Sequence, residues 1–372
     1  MKRRPRRVVV AFRLAGEPGR RKLGGFLRYI REQKRDWQLQ FVRLTDDFSA
    51  DFVRALPARG IDGVVYSMSS AREIAVADEL MALPIPTVAA DVFDRRLLDG
   101  RRKSLAVVNG SCDDVGRMAA RHLLSLGTCR SYAFVPDLYW NPWSRLRGEA
   151  FADEMRRNGF STTVYRVRGK GYDLPHMVEW LHRLKRPCGI FAAYDDRAFQ
   201  VLEACREANL AVPDDIAVIG VDNDEDICLM TTPPLTSIAT DWEKGGFMCG
   251  EVLDRRMRNP NGPPVRKTFG ELGVIRRAST SPSAIRVDPR VASASLYIRE
   301  HACEGIGVDD VVRHMGCSRR LAMMKYLAAT GRSIFAEIRE AQFEKVLVLL
   351  SRRDVQLGAI ADQCGWKSPT AL

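Results

Sequence analysis

"IAVIGVDNDEDICLMTTPPLTSI", residues 216–238, joins an apolar run to a cluster of acids and then to a proline pair. Ile216 to Val221 is a continuous apolar run of strand length, the signature of a parallel strand covered on both faces. It ends in a carboxylate, Asp222, with Asn223 and Asp224 directly behind it. In open α/β sheets ligands sit beyond the C-terminal ends of the strands, so this run is expected to deliver an acid to a binding crevice. Pro233 and Pro234 then stiffen the return toward a second short apolar run.

The same kind of run recurs on the N-terminal side. "VVVAF" (8–12), "LQFV" (39–42), "DGVVYS" (62–67), "IPTVAAD" (85–91), "SLAVVN" (104–109), "YAFV" (132–135), "TVYRV" (163–167) and "GIFAAY" (189–194) all read as strands. Helical patterns separate most of them, as in "DDVGRMAARHLLSLG", which Gly127 closes. Such alternation predicts parallel sheets with helices on both faces. Nine strands exceed what one doubly wound sheet usually holds, so two sheets with a cleft between them are expected. The sensor would span 1–275, with one subdomain from 7–109 plus 241–275 and the other from 110–240.

After "RRASTSPSAIRVDP", a linker assigned to 276–287, the pattern becomes purely helical over 288–372. Asp288 and Pro289 form an N-cap and first-turn pair for a helix through His301. In "GVDDVVRHMGCSRRLAMMKYLAATG" (307–331) a short helix from Asp309 to Met315 turns Val311, Val312 and Met315 inward. Gly316 makes the sharp turn, and Ser318 caps a second helix. That is a helix-turn-helix unit. A long helix from about Phe335 to Ser351 follows. "LGAIADQCGWKSPTAL" then restarts the motif, with Gly365 as turn, Ser368 as N-cap and Pro369 behind it. Three further residues cannot nucleate a helix, so this second unit is expected to be incomplete.

Composition narrows the function. The chain of 372 residues is 46% hydrophobic and holds no apolar stretch long enough to span a bilayer. The apolar run after its basic head is too short for a signal peptide. Nine cysteines without a C-x-x-C pair, and five histidines without ligand spacing, point to a reducing cytoplasm and to no metal site. The formal charge is +12, but 285–372 holds 13 basic and 10 acidic residues and is therefore no more basic than the rest. Charge permits an anionic partner without locating it. No phosphate-binding glycine loop, nucleophile elbow or catalytic constellation is present, so neither an enzyme nor a cofactor is expected.

On these residues the chain resembles two families joined. "DDIAVIGVDND…PPLTSI", "YDDRAF" (194–199) and "RGEAFADEM" (147–155) resemble the effector domain of LacI/GalR-type repressors, an α/β two-lobed periplasmic-binding-protein-like fold. The tail resembles the AraC/XylS-type domain, a small all-α double helix-turn-helix, here truncated at its C-terminus. The resemblance implies a small sugar, a pentose such as xylose, bound between the lobes by Asp195, Asp222 and the clamp Arg147. The strand-end rule adds Arg13 and Asp91, and the stacking habit of sugar sites adds Trp143. Carboxylates accept from hydroxyls and a guanidinium donates in return.

In the tail, Ser318, Arg319 and Arg320 begin the first reader helix, where arginine pairs guanine. Lys325 is a phosphate or base contact, and Met323 and Met324 fall where polar, base-reading residues are common. A gap-free alignment on Gly331 buries Ala322 and Tyr326, whereas the apolar pattern alone buries Leu321, Met324 and Ala328. Both registers stand at this point. Lys367, Ser368 and Thr370 occupy the start of the second reader. The implied whole is a cytoplasmic regulator, an activator acting as a homodimer, with operator DNA, a sugar effector and RNA polymerase as partners and no membrane. A sensor with impaired DNA binding, and a cytoplasmic solute-binding protein with an unrelated tail, are the alternatives.

Overall fold

The computed structural model describes residues 4–43, 48–68, 76–93, 105–169, 171–263, 265–281, 289–330, 332–350 and 357–366. The chain divides into two compact units, Met1–Ser281 and Pro282–Leu372.

Unit 1 runs β1 (Arg6–Ala11), α1 (Glu17–Glu32), β2 (Trp37–Phe41), α2 (Ala50–Arg54), β3 (Gly63–Ser67), α3 (Ala77–Ala82), β4 (Thr87–Ala90) and β5 (Ala106–Gly110). It continues with α4 (Cys112–Ser125), β6 (Ser131–Val135), α5 (Pro142–Arg157), β7 (Thr162–Val164), α6 (Leu174–His182) and β8 (Cys188–Ala192). Then come α7 (Asp195–Glu207), β9 (Ile216–Val221), α8 (Glu225–Met230), β10 (Thr236–Thr240), α9 (Trp242–Arg258), β11 (Arg266–Phe269) and β12 (Glu271–Ile275).

The strands form two six-stranded sheets, one ordered β11-β5-β4-β3-β1-β2 and the other β12-β10-β9-β8-β6-β7. Each of the nine runs read from the sequence overlaps one of β1 to β9. For the inner strands burial on both faces explains their legibility; β2 and β7, at the sheet edges, are more exposed. Val9 and Ala11 of β1 enter one apolar cluster while Val8, Val10 and Phe12 enter the cluster on the opposite face. In the second sheet Ile190 and Ala192 face one way, and Phe191 and Ala193 the other. Each valine, isoleucine or phenylalanine among them contributes about 1.5–3 kcal/mol by leaving water, and each alanine less.

Three strands, β10, β11 and β12, escaped the sequence reading because polar residues interrupt each of them (TSIAT, RKTF and ELGVI). One of them changes the subdomain assignment. β12, expected in the first lobe as part of 241–275, pairs antiparallel with β10 in the second sheet. The expected linker over 276–287 also begins too early. Ser279 and Thr280 are buried in the second lobe, where Ser279 Oγ donates to the Val218 carbonyl at 2.7 Å. Thr280 Oγ1 lies 2.9 Å from His122 Nε2. Hydroxyls that read as linker polarity instead satisfy buried backbone groups (Ser279) and buried side chains (Thr280).

The chain passes between lobes three times, after β5, after β10 and between β11 and β12. These crossings are tied together: Ser111 N donates to the Phe269 carbonyl and Asp241 N to the Gly270 carbonyl, each at 3.1 Å. The result is a three-stranded hinge.

Unit 2 holds α10 (Pro289–His301), a 3-10 turn (Ala302–Glu304), α11 (Val308–Met315), α12 (Arg319–Thr330), α13 (Ile334–Leu350) and α14 (Leu357–Gln363). Val291, Ile298, Val311, Met315, Ala322, Tyr326 and Ile338 form its core. Gly316 ends α11 in the left-handed region, φ 59°, where a side chain would be strained. Gly365 repeats this after α14, φ 70°.

Candidate functional site

The C-terminal ends of β1, β4, β6, β8 and β9 meet across the interlobe cleft. They enclose a cavity of about 480 Å³ lined by Arg13, Lys22, Ser67, Asp91, Phe93, Asp137, Tyr139, Asn141, Trp143, Arg147, Tyr194, Asp196, Asp222 and Trp242. Gly16, Pro18 and Gly19 complete the wall. The volume lies within the usual range for small-molecule sites.

The hinge side of the cavity carries two ion pairs, one from each lobe. Lys22, on α1, is paired with Asp91 at the end of β4, and both side chains are buried. Lys22 Nζ also stands 4.6 Å from the centroid of the Trp242 ring. In the other lobe Arg147 Nη1 donates to the Ala193 carbonyl at 2.6 Å, and Nη2 lies 3.8 Å from Asp222 Oδ1. The Arg147 guanidinium covers Trp143 at 5.1 Å, and Trp143 meets Tyr194 edge-on at 5.7 Å. Burial pushes the Asp222 carboxyl above the usual carboxylate range, while Arg147 and Lys22 pull the other way.

Asp91 and Asp222 share an unusual backbone, with φ of 63° and 102°. Aspartate tolerates this region better than most residues, yet the conformation is sparsely populated and commonly retained at functional sites.

Among the described residues, five buried polar atoms on the cavity wall have no hydrogen-bond partner: Ser67 Oγ, Asp91 Oδ1, Arg147 Nε, Asp222 Oδ1 and Trp242 Nε1. Leaving such an atom unmatched costs about 1–3 kcal/mol. Two are carboxylate acceptors, two are N–H donors and one is a hydroxyl able to do either. The set matches a ligand that presents several hydroxyl groups. Two of the cations on the wall, Lys22 and Arg147, are each ion-paired within their own lobe.

Of the residues read from the sequence, Arg13, Asp91, Trp143, Arg147 and Asp222 line the cavity. Asp195 does not. Its carboxylate faces inward, accepting from Ser237 Oγ at 2.6 Å, Asp224 N at 2.8 Å and Cys228 Sγ at 3.6 Å. Burial, and then the Asp222 charge, push it well above the usual range. Asp195 therefore braces the 222–224 loop, and its neighbour Asp196 faces the cavity. Successive side chains at a helix start point about 100° apart, so a one-residue error exchanges wall for core. Lys22, Asp137 and Trp242 were missed. Lys22 hides in the basic run "GRRKLGG", whereas Asp137 follows β6 and the strand-end rule could have found it. Its carboxylate orders the next loop, accepting from Asn141 N at 2.9 Å and Tyr139 N at 3.1 Å.

In unit 2, Ser318 Oγ accepts from Leu321 N at 3.4 Å and so caps α12. Arg319 and Arg320 are exposed on its first turn, and Arg319 is ion-paired with Asp309 of α11. Lys325 is half-buried. The register is decided: Ala322 and Tyr326 are fully buried, Met323 and Met324 are exposed, and the pattern that buried Met324 is wrong. A small residue, Ala322, supplied the core contact, which an apolar count underweights. Lys367, Ser368 and Thr370 lie outside the described residues.

Among the described residues no cluster of His, Cys, Asp or Glu is placed to hold a metal ion, and no helix is long and apolar enough to cross a membrane.

Residues 120–280 match a periplasmic binding protein-like domain. The chain is 30% identical over 254 residues to the xylose operon regulatory protein of Escherichia coli (strain K12), covering 66% of this chain and 64% of that one. The Haemophilus influenzae protein of the same name is 29% identical over 234 residues, covering 61% and 59%. The chain thus spans just under two thirds of these curated relatives. Among solved structures, one described as the xylose-binding transcription activator xylR has the same fold, with a TM-score of 0.64 and 23% identity. That match covers 100% of this chain and 94% of the other.

Proposed function

Because the chain is a relative of the xylose operon regulatory proteins, we propose that it is a sugar-responsive transcription regulator. In this reading the interlobe cavity binds a small neutral sugar, a pentose such as xylose, and unit 2 binds operator DNA. The regulator acts as an activator and as a homodimer. The observation that carries the sensor half is the set of five unmatched polar atoms on the cavity wall, Ser67 Oγ, Asp91 Oδ1, Arg147 Nε, Asp222 Oδ1 and Trp242 Nε1.

The roles follow from the geometry. Asp91 and Asp222 accept from sugar hydroxyls, one from each lobe. Arg147 Nε and Trp242 Nε1 donate to ring or hydroxyl oxygens, and Trp143 offers an apolar surface for the carbon face of the ring. A guest bridging both acids favours the closed cleft, and it shifts the population only by its preference for that state. The acceptor role needs Asp222 ionised. Its raised pKa therefore predicts that affinity falls on acidification at a higher pH than an ordinary aspartate would give.

Titration calorimetry of the full chain with a panel of monosaccharides tests the sensor half. Heat with a pentose, and its loss on acidification, are expected; no heat with any sugar refutes it. Gel-shift titration against duplex DNA at several salt concentrations, with and without the sugar, tests the reader half. A sugar-independent affinity would count against regulation.

A further inference from the structure

The reader helix α12 leaves an apolar face uncovered. Met323, Met324 and Leu327 are 45%, 59% and 52% exposed, although Ala322 and Tyr326 on the same helix are fully buried. With 3.6 residues per turn, Arg319, Met323, Leu327, Arg320 and Met324 fall in that order across one arc of about 140°. The arc opens with two guanidinium groups at the capped end and becomes apolar over the following two turns. Single exposed apolar residues are commonplace; three large ones grouped on one helix face are not.

We propose that this face reads thymine methyl groups in the major groove. The inference rests on the reading of unit 2 as a DNA-binding module and names what that module recognises. In a helix-turn-helix the second helix lies in the major groove with its N-terminal residues toward the bases. There the only apolar feature on a base edge is the C5-methyl of thymine. Met323 and Leu327, at the centre of the arc, meet such methyls, and Met324 covers the flank. Neither thioether nor isobutyl groups can donate to guanine or adenine, so these positions select by apolar contact. The unbranched methionine chain adapts to the groove floor. Arg320 shares the arc and supplies positive charge that a nucleic acid requires and an apolar protein partner would not; Arg319 adds to it on exchanging Asp309 for a phosphate or base. Direction of reading follows: guanine or phosphate at the capped end, then a thymine-bearing stretch.

Deleting one contacted methyl should weaken binding roughly fourfold, from the transfer free energy of one buried carbon. The experiment uses the full chain and a duplex enriched by it from a random-sequence pool. Each thymine of that duplex is replaced by deoxyuridine, which removes the methyl and leaves the pairing edge intact. Affinity is read by fluorescence anisotropy at fixed salt. Expected is a cluster of adjacent positions where deoxyuridine costs about fourfold each. The Met323→Ala/Leu327→Ala variant, changed only at exposed positions, should bind the thymine and deoxyuridine duplexes equally. Arg320→Ala should weaken both duplexes alike. If the wild type binds both duplexes equally, the methyl reading falls and DNA recognition stands. If no duplex is enriched, both fall, and sugar calorimetry on the same sample still judges the cleft separately. If the double variant instead changes the oligomeric state and leaves DNA affinity intact, the face is a protein interface and the proposal is overturned.

Discussion

Asp222→Asn should weaken sugar binding and strengthen the unliganded fold at the same time. Asparagine is nearly isosteric and tolerates the backbone at φ 102°, so the change removes the charge with little else. A hydrogen bond to a charged group contributes about 1.5–3 kcal/mol against about 0.5–1.5 for a neutral one. The difference, about 1–1.5 kcal/mol, corresponds to roughly five- to twelvefold in Kd. The stability effect has the opposite sign. Burial raises the Asp222 pKa even though Arg147 and Lys22 attract the ionised form, so the folded protein resists that charge. A raised carboxyl contributes stability that is complete below its unfolded pKa of about 3.9 and is lost as pH rises through the folded value. The variant escapes that loss. It also relieves Asp195, which the Asp222 charge pushes further up.

Calorimetric titration with the sugar and thermal unfolding without it, both across pH 4–8, are the assays. The two unfolding curves should coincide at the acid end and separate with the variant on top as pH rises. A variant that melts lower at neutral pH, or binds with unchanged Kd, refutes the reasoning. Asp222→Ala makes the control, because alanine is strained at this φ and should forfeit stability.

Three further perturbations probe the hinge and the helix that carries Lys22. Glu271 opens β12 at the hinge with its carboxyl pushed up to about 7 by burial and by Asp114. Glu271→Gln should raise the melting temperature at pH 8 and leave it unchanged near pH 4, where the glutamate is protonated in the fold; a pH-independent difference would refute this. Trp242→Phe keeps a ring beneath Lys22 but deletes the unmatched Nε1–H, so calorimetry should show affinity falling by about 0.5–1.5 kcal/mol without loss of thermal stability. A methyl on Gly246 would lie 1.8 Å from the Lys22 carbonyl oxygen. Gly246→Ala should therefore push α1 off α9 at a cost of about 1–3 kcal/mol, lowering both melting temperature and sugar affinity; unchanged affinity would detach Lys22 from the site.

How much of this was legible follows from what each residue does. Asp91 and Asp222 stand out because each ends an apolar strand, and the sheet rule says what strand ends do. Arg147 was visible only through resemblance. Lys22 was invisible, since its basic run resembles a solvated helix face and only the approach of α9, through Gly25 and Gly246, buries it. β12 was lost because one glycine, Gly270, separates it from β11 while the two strands serve different sheets. In the tail, capping and glycine turns are local, and so α11 and α12 emerged with nearly the right bounds. Which side of α12 faces inward depends on how small Ala322 is relative to its neighbours across the core, and periodicity does not carry that.

The two sheet orders also explain why the acids occur as a pair. Written side by side, β11-β5-β4-β3-β1-β2 and β12-β10-β9-β8-β6-β7 equate β4 with β9. Asp91 and Asp222 are thus the same position in two copies of one architecture, each just past its strand and each held at positive φ. Each lobe adds a cation to its acid by the same route: Lys22 from the helix after β1, and Arg147 from the helix after β6. Those strands are equivalent as well. The cleft floor is accordingly a two-fold arrangement of acid and base, in which neither half alone surrounds a ligand. Under the proposed function, a polyol spanning it would have to satisfy one acid in each lobe, and that requirement would turn binding into a force between lobes. A ligand reaching only one acid would bind without favouring closure, so occupancy and response should separate for truncated or deoxygenated sugars.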